Sequence, residues 1–300
     1  MSGLFLKGEK KVRAGVYRRH EQITRSSVVS AMNGVFCIPV HADFGPVGEV
    51  SKITSKTDLN ALYMNSGTID AAEKLFEAGA NTVYVYRLGT GGKEGSLQLQ
   101  TTTSTNAVTL KTKYPTALKF SVTVKQKLGD QNTKECSVYN GSILVEKVSF
   151  AAGSGVNEAT NLVEAMKDSK YLSAELVPEA SGIMQTVTQQ ALAGGTAPTV
   201  KTEDYSNAFN AFEMYSWNVL VLDTVDSDVK ALAKTYMDRI HDNGALGICV
   251  LGEEANKSLA ERMTNAKSYN APYFVYVGSG YYDTSGDRME EYISAAVQAG

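Results

Sequence analysis

From Thr202 onward, short unbroken apolar runs alternate with longer amphipathic stretches. The runs are Asn218–Asp223 (NVLVLD), Leu246–Leu251 (LGICVL) and Tyr273–Val277 (YFVYV); the stretches are 205–215, 226–242, 257–269 and 288–299. A strand apolar on both sides has to be covered on both sides, and helices returning between parallel strands supply that cover. The pattern predicts a mostly parallel, Rossmann-like sheet. The same signature opens the chain: Val35–Val40 reads as a buried strand and Phe44-Gly45-Pro46 as a turn. Thr57 and Asp58 are placed to cap a helix carrying Leu59, Leu62 and Tyr63. Ile69, Ala72, Leu75 and Phe76 recur at helical spacing up to Gly79, and Thr82–Tyr86 is a second strand.

Between these two stretches the periodicity changes from helical to alternating. Runs at 107–112, 120–124, 135–139 and 143–148 are rich in Thr, Val and Tyr, and Gly129-Asp130 and Asn140-Gly141 punctuate them as hairpin turns do. Residues 157–166 and 168–172 read as helical, and Leu192–Thr196 breaks the chain before the α/β pattern resumes. The fold class expected is α/β: a core formed by 23–90 and 201–300, with a small antiparallel β domain inserted over 93–200. Residues 1–22, which lack a helical apolar repeat, are expected to form an extended N-terminal arm. Gly89-Thr-Gly-Gly-Lys93 reads as a flexible linker at the boundary.

Composition excludes several functions. Twenty-nine basic residues are spread among 32 acidic ones, net −3, with only Lys7–Arg19 locally basic. A surface that tracks phosphates needs clustered cations, so no nucleic-acid partner is expected. The leading apolar run is three residues long and no later run approaches ~18, so neither a signal segment nor a membrane anchor is expected. Cys37, Cys136 and Cys249 are widely spaced and odd in number, as small core side chains in a cytosolic chain would be.

Candidate chemistry is sparse. Gly89–Lys93 follows a strand, but a phosphate loop would require Gly at Arg87 and Ser or Thr at Glu94. Gly278-Ser279-Gly280 follows a strand without a third glycine. Asp223, Asp226 and Asp228 cluster where doubly wound sheets hold ligands and could bind a divalent cation, although helix capping accounts for the latter two. His20, His41 and His241 stand at least twenty residues apart, and Glu253-Glu254 reads as a pair at a helix start. We expect no catalytic residues, no metal and no cofactor. Sixteen tyrosines against one tryptophan suit half-buried strands and protein interfaces.

The order of motifs resembles the contractile tail sheath family of phages and phage-tail-like bacteriocins. Ala14-Gly15-Val16-Tyr17-Arg18 resembles that family's Gly-Val-Tyr arm motif. Ile38-Pro39-Val40, Phe44–Val50 and Ile53-Thr54-Ser55 resemble its strand, Gly-Pro turn and helix opening; Phe76–Leu88 resembles the stretch before its first insertion. Leu110–Pro115 is similar to the opening of its β insertion, although Leu118-Lys119 replaces a frequent Gly-Asn. Leu192–Gly195, Asp204-Tyr205 and the 218–223 strand follow in the family's order. Family members usually continue past the helix holding Ile293, Ala296 and Val297 into a closing β segment and a C-terminal arm, so a shortened or truncated form is expected.

The resemblance implies a structural subunit that polymerises helically around an inner tube and contracts to drive it through a target envelope. Its implied partners are copies of itself, a tail tube protein and baseplate proteins. Assembly in the bacterial or host cytoplasm, ending in a virion tail or released particle, is implied too. Residues 8–20, including Val12, Ala14, Gly15, Val16 and Tyr17, would be the arm that exchanges between subunits. The competing reading is a Rossmann-like enzyme binding a nucleotide or small ligand at the carboxyl ends of the 218–223, 246–251 and 273–277 strands. A monomeric adhesin is a third.

Overall fold

The computed structural model describes residues 34–64, 66–282 and 289–300. Its framework is a six-stranded sheet built from β1 (Val35–Val40), β2 (Val50–Ile53), β3 (Thr82–Arg87), β11 (Val219–Val221), β12 (Ile248–Gly252) and β13 (Phe274–Val277). The strand order is β13-β12-β11-β1-β3-β2. Five strands run parallel, and β2 pairs antiparallel with β3 at one edge. Strands from the two sequence-distant α/β stretches meet where β1 pairs β11, with Phe36 opposite Val219 and Cys37 opposite Leu220.

Both faces are covered, as the apolar runs require. Phe36, Ile38, Val40, Val221, Val250 and Val277 face α1 (Lys56–Tyr63), α2 (Ile69–Ala78) and α7 (Glu291–Ala299). Cys37, Leu220, Leu222, Cys249 and Leu251 face α4 (Thr202–Phe212) and α5 (Ser227–Asp242). Each such buried side chain contributes roughly 1.5–3 kcal/mol of hydrophobic stabilisation before entropy is counted. By contrast, α6 (Leu259–Ser268), beside the edge strand β13, buries no residue fully, and its Leu259 and Met263 are exposed.

Helix starts follow local side chains. Ser55 caps α1 by accepting the Asp58 N–H at 3.1 Å, so the cap precedes the Thr57-Asp58 pair. Asp226 caps α5 through the N–H groups of Asp228 and Val229. Ser258 and Glu261 form a reciprocal capping box on α6.

Residues 96–191 form two antiparallel sheets. One has the order β10-β6-β7-β8, from β6 (Phe120–Lys127), β7 (Asp130–Asn140), β8 (Ile143–Ala151) and β10 (Val187–Ala191); the other has β4 (Ser96–Gln100), β5 (Asn106–Thr112) and β9 (Leu172–Leu176) in the order β4-β5-β9. They share a core with α3 (Glu158–Ala165). The four runs expected here are present as β5 to β8. The expected helix over 168–172 is not: Ser169 Oγ accepts the N–H groups of Tyr171 and Leu172, closing a turn from which Leu172 enters β9. β4 and β10, with Gln98, Gln100, Gln189 and Gln190, carry too much polar surface to stand out in the sequence.

Candidate functional site: the carboxyl edge of the six-stranded sheet

The loops after β1 and β11 meet at Asp223, which follows β11 and is 2 % exposed. It accepts Thr68 Oγ1 at 2.6 Å and Tyr205 Oη at 2.8 Å, and Oδ2 lies 2.8 Å from His41 Nδ1 and 3.1 Å from the His41 backbone N–H. A buried carboxylate is tolerated when its lone pairs are occupied in this way. The hydrogen bond to Asp223 raises the His41 pKa above its ordinary value against the opposing pull of burial. Burial, followed by the neighbouring carboxylate, pushes the Tyr205 hydroxyl far up. Thr68 opens α2 and Tyr205 lies in α4, so one carboxylate ties together loops from both α/β stretches.

Arg87, at the end of β3, is fully buried and carries no paired carboxylate among the hydrogen bonds described. Its guanidinium donates to three carbonyls: Ala42 O at 2.7 Å, Gly45 O at 2.6 Å and Pro115 O at 3.0 Å. Burial lowers its pKa to about 10. Phe44, on the loop Arg87 holds, enters the core of the β-rich segment, with ring centroids 5.2 Å from Tyr114, 5.6 Å from Phe120 and 5.8 Å from Tyr171.

The glycine-rich stretch after Arg87 is not a flexible linker. The ingoing and outgoing chains run antiparallel and exchange hydrogen bonds between Thr90 and Thr199, Lys93 and Thr196, and Ser96 and Ala193, at 2.8–3.0 Å. Gly195 sits so close to Thr116 that a Cβ there would lie 2.5 Å from its carbonyl oxygen. The glycines permit close packing here, which sequence cannot tell from looseness.

Further along the edge, Glu253 is 4 % exposed and accepts Tyr276 Oη at 2.7 Å, Asn265 Nδ2 at 2.8 Å and the Glu254 N–H at 2.9 Å. Lys230 Nζ is 3.6 Å away. These groups border a cleft of about 220 Å³. The cleft lies where the enzyme reading places its pocket, but both Glu253 oxygens are already occupied by protein donors. Asp226 and Asp228 serve the start of α5, and among the described residues no group of three or more His, Cys, Asp or Glu is arranged to hold a metal ion. His241 stacks on Tyr273 at 3.9 Å and its Nε2 lies 2.7 Å from Gly247 O. Val12, Ala14, Gly15, Val16, Tyr17 and His20 lie outside the described residues. Among the described helices none is long and apolar enough to cross a membrane.

The α4-to-α7 portion of this architecture has a known counterpart: residues 199–300 match the family model described as the phage tail sheath protein central domain. The wider fold agrees. A sheath tail protein of Listeria innocua superposes with a TM-score of 0.62 at 19% identity, covering 90% of this chain and 56% of that one. One from Desulfitobacterium hafniense gives 0.65 at 17% identity, covering 95% and 61%. In sequence, the chain is 24% identical over 254 residues to the phage-like element PBSX protein XkdK of Bacillus subtilis and 23% identical over 259 residues to the uncharacterized protein YqbK of the same organism. Each alignment covers 80% of this chain and 52% of the relative, so the chain spans about half the length of these curated relatives. Coverage of 90% and 95% carries the structural similarity well beyond residues 199–300. Arg87, Phe44 and Tyr205 fall within stretches singled out in the sequence, but nothing there marked them as the side chains that join distant segments; what distinguishes them is burial.

Proposed function

We propose that the chain is a structural subunit of a contractile tail sheath, polymerising helically around an inner tube and contracting to drive it through a target envelope. The observation that carries this reading is the sheath central domain within a fold shared, over nine tenths of the chain, with two sheath tail proteins. The division proposed is an α/β core of 23–90 and 201–300 contacting tube and neighbours, and an outer domain over 93–200. Residues 1–22 supply the exchanging arm, with Val12, Ala14, Gly15, Val16 and Tyr17 in the added strand.

Strand addition suits such an arm because each backbone hydrogen bond nets about 0.5–1.5 kcal/mol without demanding a particular side chain. A repeated heterologous contact then generates an open helix. Contraction requires subunits that move as bodies between two packings. The paired chains at 90–96 and 193–199, together with Arg87, favour a subunit in which the β-rich segment follows the sheet.

Negative-stain electron microscopy of the concentrated protein, alone and with its tube protein, tests the reading. Tubes or stacked rings are expected. Persistent monomers from a form as long as the relatives would overturn it, and a thermal shift with nucleotides would then point to the enzyme reading.

A further inference from the structure

Two apolar features leave large side chains uncovered. The first is Leu128, wholly exposed at the tip of the β6–β7 hairpin. It occupies a two-residue turn with Gly129 (φ +80°) between paired Lys127 and Asp130. Such turns favour polar residues and glycine. The tip is nevertheless held firmly. Gln126 Nε2 donates to the carbonyls of Asp130 and Thr133 at 3.0 and 2.9 Å, and the Asp130 carboxylate accepts the Asn132 N–H and Thr133 Oγ1 at 2.9 and 2.6 Å. Ordering a leucine in water stabilises nothing inside this subunit; it lowers the entropy lost when something else covers it.

The second is a cleft of about 370 Å³ between the end of α4, α5 and the turn before β12. Tyr215, Trp217, Tyr236, Ile240 and Leu246 line it, with Leu246 89 % and nearby Met214 85 % exposed. Its floor is fixed: the Trp217 ring packs so closely on Gly247 that a Cβ there would lie 2.4 Å from it, and His241 pins the Gly247 carbonyl. Concentrated Trp and Tyr in a preformed concavity are what central interface pockets contain. Glu213, paired with Arg239, lies in the lining, and exposed Asp242 on the adjoining end of α5 supplies the acidic charge beside it. Exposed Lys125 and Lys127 flank Leu128.

We infer that the Leu128 hairpin tip of one copy seats in the Trp217–Leu246 cleft of the next. The positions suit propagation. The β-rich segment leaves the sheet at the carboxyl end of β3, and β6 runs from Phe120, beside Phe44, about 25 Å outward to the tip. The cleft lies at the opposite, amino ends of β11 and β12. A contact between two different surfaces of neighbouring copies, repeated with one rotation and rise, is head-to-tail and propagates. The inference rests on the self-assembly reading and specifies a contact within it.

The test mixes the Leu128→Cys and Leu246→Cys full chains under mild oxidation; Cys37, Cys136 and Cys249 are buried and do not compete. A disulfide-linked dimer is expected in the mixture and not with either variant alone, whether or not tubes form. Absence of the mixed dimer, or equal self-linking of Leu128→Cys, overturns the contact. In parallel, Leu128→Asp should raise the concentration needed for assembly about tenfold or more. Unaltered tubes from Leu128→Asp would overturn the contact and leave the sheath reading standing. A cross-linked mixture without tubes would support the contact and count against polymerisation.

Discussion

His41 Nδ1 lies 2.8 Å from Asp223 Oδ2, joining the loop after β1 to the loop after β11 across 182 residues of chain. The whole β-rich segment is threaded between these two residues, so the pair fastens the place where the α/β pattern stops and resumes. Removing the carboxylate in Asp223→Ala strands Thr68, Tyr205 and the His41 N–H, and should cost about 3 kcal/mol or more in urea denaturation, because buried donors lose their acceptor. A cost under about 1 kcal/mol would show that water replaces it.

The same pair sets a pH dependence. His41 is raised above its ordinary value, so it stabilises the fold fully below the unfolded value near 6.5 and loses that contribution as pH rises through the higher folded value. The melting temperature should therefore fall between pH 6 and 8 relative to His41→Asn, whose profile should be flatter. The side chain is 41% exposed, so screening keeps the difference small.

Arg87 carries three carbonyls in one planar fork, and a lysine ammonium cannot match that geometry. Arg87→Lys should lose about 2 kcal/mol or more of stability and speed proteolytic cleavage near Ala42–Gly45 and Pro115. Unaltered proteolysis would mean the loop is held chiefly by Phe44.

Within the β-rich segment, Lys134 and Glu158 form a buried pair at 2.7 Å, each with further partners at Met184. Lys134→Met alone should cost about 3–5 kcal/mol by leaving a buried charge, whereas pairing it with Glu158→Leu should recover much of that loss. Equilibrium unfolding of the two single variants and the double variant measures the coupling.

The thiols offer a probe of opening. Burial pushes Cys136 up to about 12 and raises Cys37 and Cys249 as well. All three should resist a thiol reagent in native buffer and react together with unfolding; one reacting early would mark local opening.

The sequence by itself determined the local elements. Unbroken apolar runs such as Val35–Val40 and Ile248–Gly252 must be covered on both faces, and the hairpins around Gly129 and Gly141 follow from turn chemistry acting over two or three residues. The apolar spacing that ends at Gly79 is equally local. Tertiary structure decided what depends on distant partners. It paired β1 with β11, drew Phe44 out of its own α/β stretch into the β-rich core, and buried Arg87 against carbonyls from two segments. It also turned Gly89–Lys93 from an apparent linker into a hydrogen-bonded connection. Periodicity reports which way a side chain faces; it carries no record of what the rest of the chain brings to meet it.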